Sequence, residues 1–199
     1  MLTSLLVQNY KSLHDVSIAP PPFFAVVGAN AAGKTNFGKA IEFLSKVARS
    51  GLAAALNEEG GYENVCFRRQ RRSKGAITLG CVLQHLRIGG LSLRLDWRFS
   101  FRAQKEAIRS EYLVETEKLE LAFESEAGAK PYLEILRRRK DVQYNIAPEN
   151  LGNLGGHGLL PQQLLKELLS KVTPLLREDD LLLWTHLRGL PPFGQFLGE

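Results

Sequence analysis

The clearest pattern in the chain lies in residues 91–102. Leu91, Leu93, Leu95, Trp97, Phe99 and Phe101 alternate with Ser92, Arg94, Asp96, Arg98, Ser100 and Arg102. A period of two with one apolar and one polar set predicts a half-buried strand. Upstream, Ile77, Leu79, Cys81 and Leu83 alternate less strictly, and Gly89 and Gly90 supply a turn between the two. Residues 111–124 and 131–138 read as two further strands joined by a turn at 126–130. Roughly residues 76–144 therefore predict an antiparallel sheet with one wet face and one covered face.

The N-terminal third reads differently. Residues 2–7 and 13–18 predict two short strands around a polar turn. Pro20, Pro21 and Pro22 then act as a stiff spacer. Residues 23–27, Phe-Phe-Ala-Val-Val, form an unbroken apolar run, the mark of a strand buried on both faces. A helix is predicted over about residues 34–49, where Phe37, Ile41, Leu44 and Ala48 recur at helical spacing and Gly51 supplies a stop. Near the other end, the glycine-rich stretch 151–158 reads as a linker. Residues 159–187 are leucine-rich and helical, broken near Pro174, and residues 191–199 carry no strong pattern.

A length of 199 residues suits one domain with a real core. Within it the pattern suggests a strand–loop–helix core at 1–60, an antiparallel lobe at 61–150 and a helical segment at 151–199. Apolar residues make up 44% and charged residues 24%, ordinary values for a globular protein. No stretch reaches the length of a membrane span and no secretory leader is evident, so the expectation is a cytoplasmic protein without a membrane partner. Cys66 and Cys81 stand apart from any His or Cys cluster and read as thiols, not metal ligands. His14, His85, His157 and His186 each lack a motif around them.

Chemistry enters at Gly28, Ala29, Asn30, Ala31, Ala32, Gly33, Lys34 and Thr35, which fit G-x-x-x-x-G-K-[ST] without a mismatch. Gly28 lets the chain leave a strand in a conformation that a side chain would resist. Small residues at Ala29, Ala31 and Ala32 let backbone approach phosphate oxygens closely. The N–H groups of such a loop, and of the helix after it, converge on an anion. Lys34 is then the charge clamp for β- and γ-phosphates, and the Thr35 hydroxyl the Mg²⁺ ligand. The implied ligands are ATP and Mg²⁺, and the fold class is α/β, a P-loop NTPase domain.

Residues 5–18, LLVQNYKSLHDVSI, with 25–36, AVVGANAAGKTN, and then Ala40 and Ile41, resemble the start of RecF/SMC/OLD-type ATPases, the ABC-class proteins of DNA repair, chromosome organisation and phage defence. The opening N-[FY]-[KR]-S, Asn30, and Asn36 just after the loop carry the likeness. It is close over about the first 45 residues and loose beyond. It implies an ABC-ATPase-like half-domain with an inserted antiparallel β lobe and a helical C-terminal segment. It also implies that Lys11 and Ser12 lie near the nucleotide, and that hydrolysis is done by a dimer in which a Walker B strand faces a partner's signature helix. Asn36 and the long hairpin region argue against the ATP-binding subunit of an ABC transporter.

Those later elements are not found in the sequence. Residues 91–96 end in Asp96 but alternate with Ser and Arg. Glu178, Asp179 and Asp180 precede an apolar run instead of following one. Residues 153–157, Asn-Leu-Gly-Gly-His, lack the signature's serine and read better as linker. The expectation is an ATP-binding half-site, completed by a homodimer or by a complementing C-terminal half or partner chain, with tight binding, little hydrolysis and exposed apolar surface near residues 23–27. The alternative is a non-hydrolysing nucleotide sensor, or a truncated gene product, that gates a partner effector.

The net charge of +5 permits nucleic-acid contact without requiring it. Arg68, Arg69, Arg71, Arg72 and Lys74 form the densest basic run, and Arg137, Arg138, Arg139 and Lys140 the second. Either can neutralise phosphates without sequence preference, and either can equally be a solvated loop or strand edge. Phe67 beside the first run could stack on a base, although a lone aromatic is more often core.

Overall fold

The computed structural model describes residues 1–67, 75–88, 91–104, 112–125, 128–147, 162–175 and 182–187. A hairpin of β1 (Leu2–Tyr10) and β2 (Leu13–Ile18) is followed by α1 (Lys34–Ser50), α2 (Leu52–Glu58) and α3 (Tyr62–Val65). Next come β3 (Ile77–Ile88), β4 (Leu91–Ala103), β5 (Tyr112–Ser125), β6 (Gly128–Arg138) and β7 (Asp141–Ile146), then α4 (Gln162–Leu175) and α5 (Leu183–Leu187). The strands make one seven-stranded sheet in the order β2-β1-β3-β4-β5-β6-β7. Every neighbouring pair is antiparallel.

The expected sheet is present and is wider than its pattern suggested. β1 pairs directly with β3, so the N-terminal hairpin extends the same sheet, and β7 adds a strand beyond β6. The alternation in β4 sorts its apolar set as expected, while Asp96 and Ser100 on the other face are buried as well. Leu93, Leu95, Trp97, Phe99 and Phe101 are buried in the core that the helices share. The opposite face carries a charge ladder, with Arg98 on Asp96 at 2.9 Å, Arg94 on Glu120 at 3.3 Å and Lys118 on Glu120 at 2.8 Å. The expected helix at 34–49 runs one residue further and stops at Gly51, whose φ of 90° favours glycine. Pro174 falls in the last turn of α4, where the break was expected.

The apolar run at 23–27 departs from its pattern. It forms no strand, and Phe23 and Val27 are almost fully exposed, at 89% and 87%. The reason is topological. Both edges of β1 are taken, by β2 and by β3, and Pro20, Pro21 and Pro22 carry the chain off the sheet with no N–H to donate. No parallel strand pair occurs among the described residues, so the expected α/β arrangement is here a mixture of helices with an antiparallel sheet. The linker at 151–158, the Gly89–Gly90 turn, the carboxylates at 178–180 and residues 191–199 lie outside the described residues.

Helix α1 buries a different stripe from the one read in its sequence. Ala40, Phe43, Leu44 and Val47 go into the core, while Phe37, Ile41 and Ala48 pack at its margin. Ile41, Leu44 and Ala48 also line a cavity of about 340 Å³ shared with Leu2, Leu83, Trp97 and Trp184. The apolar arc of α1 is thus wider than one sheet contact requires.

One buried carboxylate ties the C-terminal segment to this core. Glu117 is 1% exposed, stands opposite Phe99 and Arg137 in the strand register, and accepts both the Trp97 indole N–H and the Trp184 backbone N–H at 3.0 Å. Trp184 stacks near Trp97 with ring centroids 5.2 Å apart and donates its own indole N–H to the Ala48 carbonyl at 2.9 Å. Replacing Glu117 with Ala strands two buried donors beside the buried Arg137. We expect Glu117→Ala to lower unfolding free energy by about 3 kcal/mol. Denaturant titration measures it, and a loss below about 1 kcal/mol would remove the carboxylate from this role.

Candidate functional site

The loop expected to hold phosphate runs from Gly28 into the first turn of α1. Its backbone alternates in hand: Ala31 has a φ of 62° and Gly33 a φ of 96°, with Ala32 between them on the ordinary side. Such alternation turns successive N–H groups toward one concavity. A turn bond from the Ala32 N–H to the Ala29 carbonyl, 3.2 Å, closes the loop. The first intrahelical bond of α1 runs from the Phe37 N–H to the Gly33 carbonyl at 2.9 Å. The earlier N–H groups of this 17-residue helix have no side-chain cap, and its first turn holds no acidic residue. A helix start left in this state attracts an anion.

Lys34 spans the loop. Its ammonium donates to the Gly28 carbonyl at 2.6 Å and the Ala29 carbonyl at 2.7 Å. An ammonium has three N–H donors, so these bonds fix its position and keep one donor for a ligand oxygen. Thr35 is exposed in the first helical turn. Among the described residues, no carboxylate is bonded to Lys34 or Thr35. Gly28, Ala29, Asn30, Ala31 and Ala32 are exposed as well, so the concavity is open to a solute.

The turn between β1 and β2 backs this loop. Asn36 donates its amide N–H to the Ser12 hydroxyl at 2.7 Å. A Cβ placed on Gly33 would meet that Ser12 oxygen at 3.2 Å, which makes Gly33 a position of close approach as well as left-handed backbone. Tyr10 completes the seat. Its ring packs on Phe43 at 5.5 Å, and its hydroxyl donates to the Lys39 carbonyl at 3.3 Å. Burial, with Glu59 and Glu42 nearby, pushes that phenol well above its usual range, so it remains a donor at any working pH.

Of the two turn residues expected near the nucleotide, Ser12 does lie against the loop. Lys11 has a partner of its own: its ammonium is 2.6 Å from Glu59, with both side chains 15% exposed. Glu59 also lies 3.5 Å from Lys46, which bonds Glu42 and Glu58. Burial pushes the Glu59 carboxyl up, but the bond and charge of Lys11 outweigh it and hold the group below its usual value. The tie is therefore complete at neutral pH and is lost only as pH falls below the ordinary carboxylate range. Sequence reading missed Glu59, since nothing local links it to Lys11 across 48 positions.

The basic runs fare unevenly. Residues 68–74 lie outside the described residues, yet both flanks meet at Asn9: its carbonyl accepts the Phe67 N–H at 2.9 Å, and its amide donates to the Ala76 carbonyl at 2.9 Å. Phe67 is half-buried and rests edge-on against the exposed His14 at 5.3 Å, outside the core in which a lone aromatic is more often found. In the second run, Arg137 is not a surface cation. It is 1% exposed and donates to the Arg139 carbonyl at 2.7 Å, leaving Arg138, Arg139 and Lys140 exposed.

No protein-family model and no curated protein matches the chain. One solved structure, described as concerning ATP-driven dimerization and DNA-stimulated activation of SMC ATPases, is similar at 19% identity over 90% of this chain and 98% of that chain, with a TM-score of 0.36. A likeness so distant carries no argument, and the functional reading rests on the loop.

The left-handed positions give a paired test. Gly33→Ala meets both a positive φ and the Ser12 oxygen, and should cost about 1–2 kcal/mol. Ala31→Gly relieves a positive φ without new contacts and should leave stability unchanged or raise it by up to about 1 kcal/mol. Thermal unfolding of both variants reads the difference. Equal effects would mean the loop does not hold these backbone angles in solution.

Proposed function

We propose that this chain binds the triphosphate of ATP, with Mg²⁺, in the loop of residues 28–35. The observation that supports this best is the Lys34 ammonium fixed between the Gly28 and Ala29 carbonyls at the uncapped start of α1. In this reading the N–H groups of residues 29–36 cradle the phosphate oxygens, Lys34 clamps them with its remaining donor, and the exposed Thr35 hydroxyl holds the metal. Mg²⁺ held there would offset the negative charge of the phosphates. Lys11 and Ser12 stand behind the loop, and Ser12 meets it directly.

Hydrolysis by this chain alone is not part of the proposal. A loop that positions phosphates lacks most of the rate enhancement until a group orients the attacking water. The RecF/SMC/OLD-type reading assigns that group to a complementing segment or second copy. Two observations support a missing layer of this kind. Phe23, Phe24, Val26 and Val27 are exposed next to the loop, and Phe24 meets Phe37, on the marginal stripe of α1, at 6.2 Å. The same observations suit a non-hydrolysing sensor whose partner covers that side. DNA contact through Arg68, Arg69, Arg71, Arg72 and Lys74 is a further part of the proposal. What supports it is the density of cations in that stretch, whose flanking residues Phe67 and Ala76 both bond Asn9, two residues before Lys11.

Two measurements test these readings. Calorimetry should find Mg²⁺-ATP binding that weakens at least about tenfold in Lys34→Ala, with phosphate release near background in both proteins. Equal binding by the two would remove the loop as the site, and vigorous turnover abolished by Lys34→Ala would mean the chain carries its own water activator. For DNA, replacing the five cations of the first run with Gln should flatten the salt dependence of duplex binding by roughly one unit of slope per lost phosphate contact. An unchanged slope would assign those residues to solvent.

A further inference from the structure

We infer that Glu59 is a positioning residue for the nucleotide site, acting through Lys11 to press the β1–β2 turn onto the loop. The inference rests on the nucleotide-binding reading and extends it to a residue outside the motif. The turn is gripped from two sides. On one side, the Lys11 ammonium lies 2.6 Å from Glu59 and the Lys11 backbone N–H donates to the Val65 carbonyl at 2.8 Å. On the other, Ser12 accepts the Asn36 amide at 2.7 Å and abuts Gly33.

The grip works against strain. Lys11 has a φ of 49°, a left-handed conformation that a residue with a side chain adopts only when its surroundings impose it. Glu59 is the residue that ends α2, where helix carbonyls already favour a cation, so Lys11 is attracted there by backbone and carboxylate together. The pair is largely buried, which keeps the attraction from being screened as an open surface pair would be. With the Glu59 charge removed, the turn can relax toward right-handed backbone. Ser12 would then withdraw from Asn36 and Gly33, and the first N–H groups of α1 would lose their fixed aim.

The sign of the effect separates this from the obvious rival. If Lys11 instead waits on Glu59 and transfers to a phosphate when nucleotide arrives, Glu59 competes with the ligand and its removal tightens binding. If the pair is a brace, removing Glu59 weakens binding.

Mg²⁺-ATP affinity and melting temperature should be measured for the unmodified 199-residue chain, Lys34→Ala, Glu59→Gln, Lys11→Met, the Lys11→Met/Glu59→Gln double variant and the Lys11→Glu/Glu59→Lys charge swap. The inference expects Glu59→Gln and Lys11→Met each to weaken binding about three- to tenfold, the double variant to be no worse than either, and the swap to recover most of the loss. Tighter or unchanged binding by Glu59→Gln overturns it, as does additive loss in the double variant. A loss of affinity matched by a fall in melting temperature in both singles, with no recovery in the swap, makes the pair merely structural and also overturns it. Absence of binding by the unmodified chain is a different result, which strikes the nucleotide reading itself.

Discussion

Where the loop can stand is decided by the contact of α1 with the antiparallel sheet. Ala40, Phe43, Leu44 and Val47 bury against the core that β1, β3 and β4 line, and each large side chain so buried contributes about 1.5–3 kcal/mol. That contact fixes the axis of a helix about 25 Å long. One end of it, through the Ala48 carbonyl, is bonded to Trp184. The other end presents bare N–H groups beside Gly33. Because the β1–β2 turn projects from the sheet that holds the helix, Ser12 meets Asn36 without a long side chain having to search for it. The geometry of the site is inherited from packing roughly two turns away.

What this packing leaves unsatisfied is as informative as what it holds. Phe37, Ile41 and Ala48 form a second apolar margin on α1, and Phe24 meets it from the run at 23–27. A helix with an apolar arc this wide suits burial on more than one side. Here the arc is shared among the sheet, α2 and Trp184. In the run at 23–27, Phe23 and Val27 are almost fully exposed and lie in no strand.

Much of the fold was legible because its signals are local. The period-two alternation of residues 91–102 and the helix stop at Gly51 both appear in the structure. What was not legible depends on partners distant in sequence. Residues 23–27 have the composition of a buried strand, but after Pro20, Pro21 and Pro22 they pair with no strand among the described residues. The stripe of α1 was read one face off because both faces are apolar and only the position of the sheet selects between them. Glu117 stands in the period of Leu119, Leu121 and Phe123, so it lies on the covered side, where a lone acid is not expected. The register shift between β4 and β5 at Ser100 and Phe101 changes the phase beyond it and brings Val114 to that side as well. Period-two reasoning fails at any bulge it cannot see.

The same limit applies to the site. Gly28 to Thr35 announces itself because phosphate recognition is done by backbone and needs a fixed spelling. The residues that hold that backbone in place have no such spelling: Tyr10, Ser12 and Glu59 contribute through distances set by the sheet and by the return of α2. Lys11 illustrates the consequence. Resemblance suggests that it lies near the nucleotide, but its ammonium faces a carboxylate rather than the loop. A cation in a fixed, largely buried pair cannot turn to a second anion without giving up the first, so its effect on the site is transmitted through its backbone. Ser12, the next residue along that backbone, is the one whose side chain touches the loop.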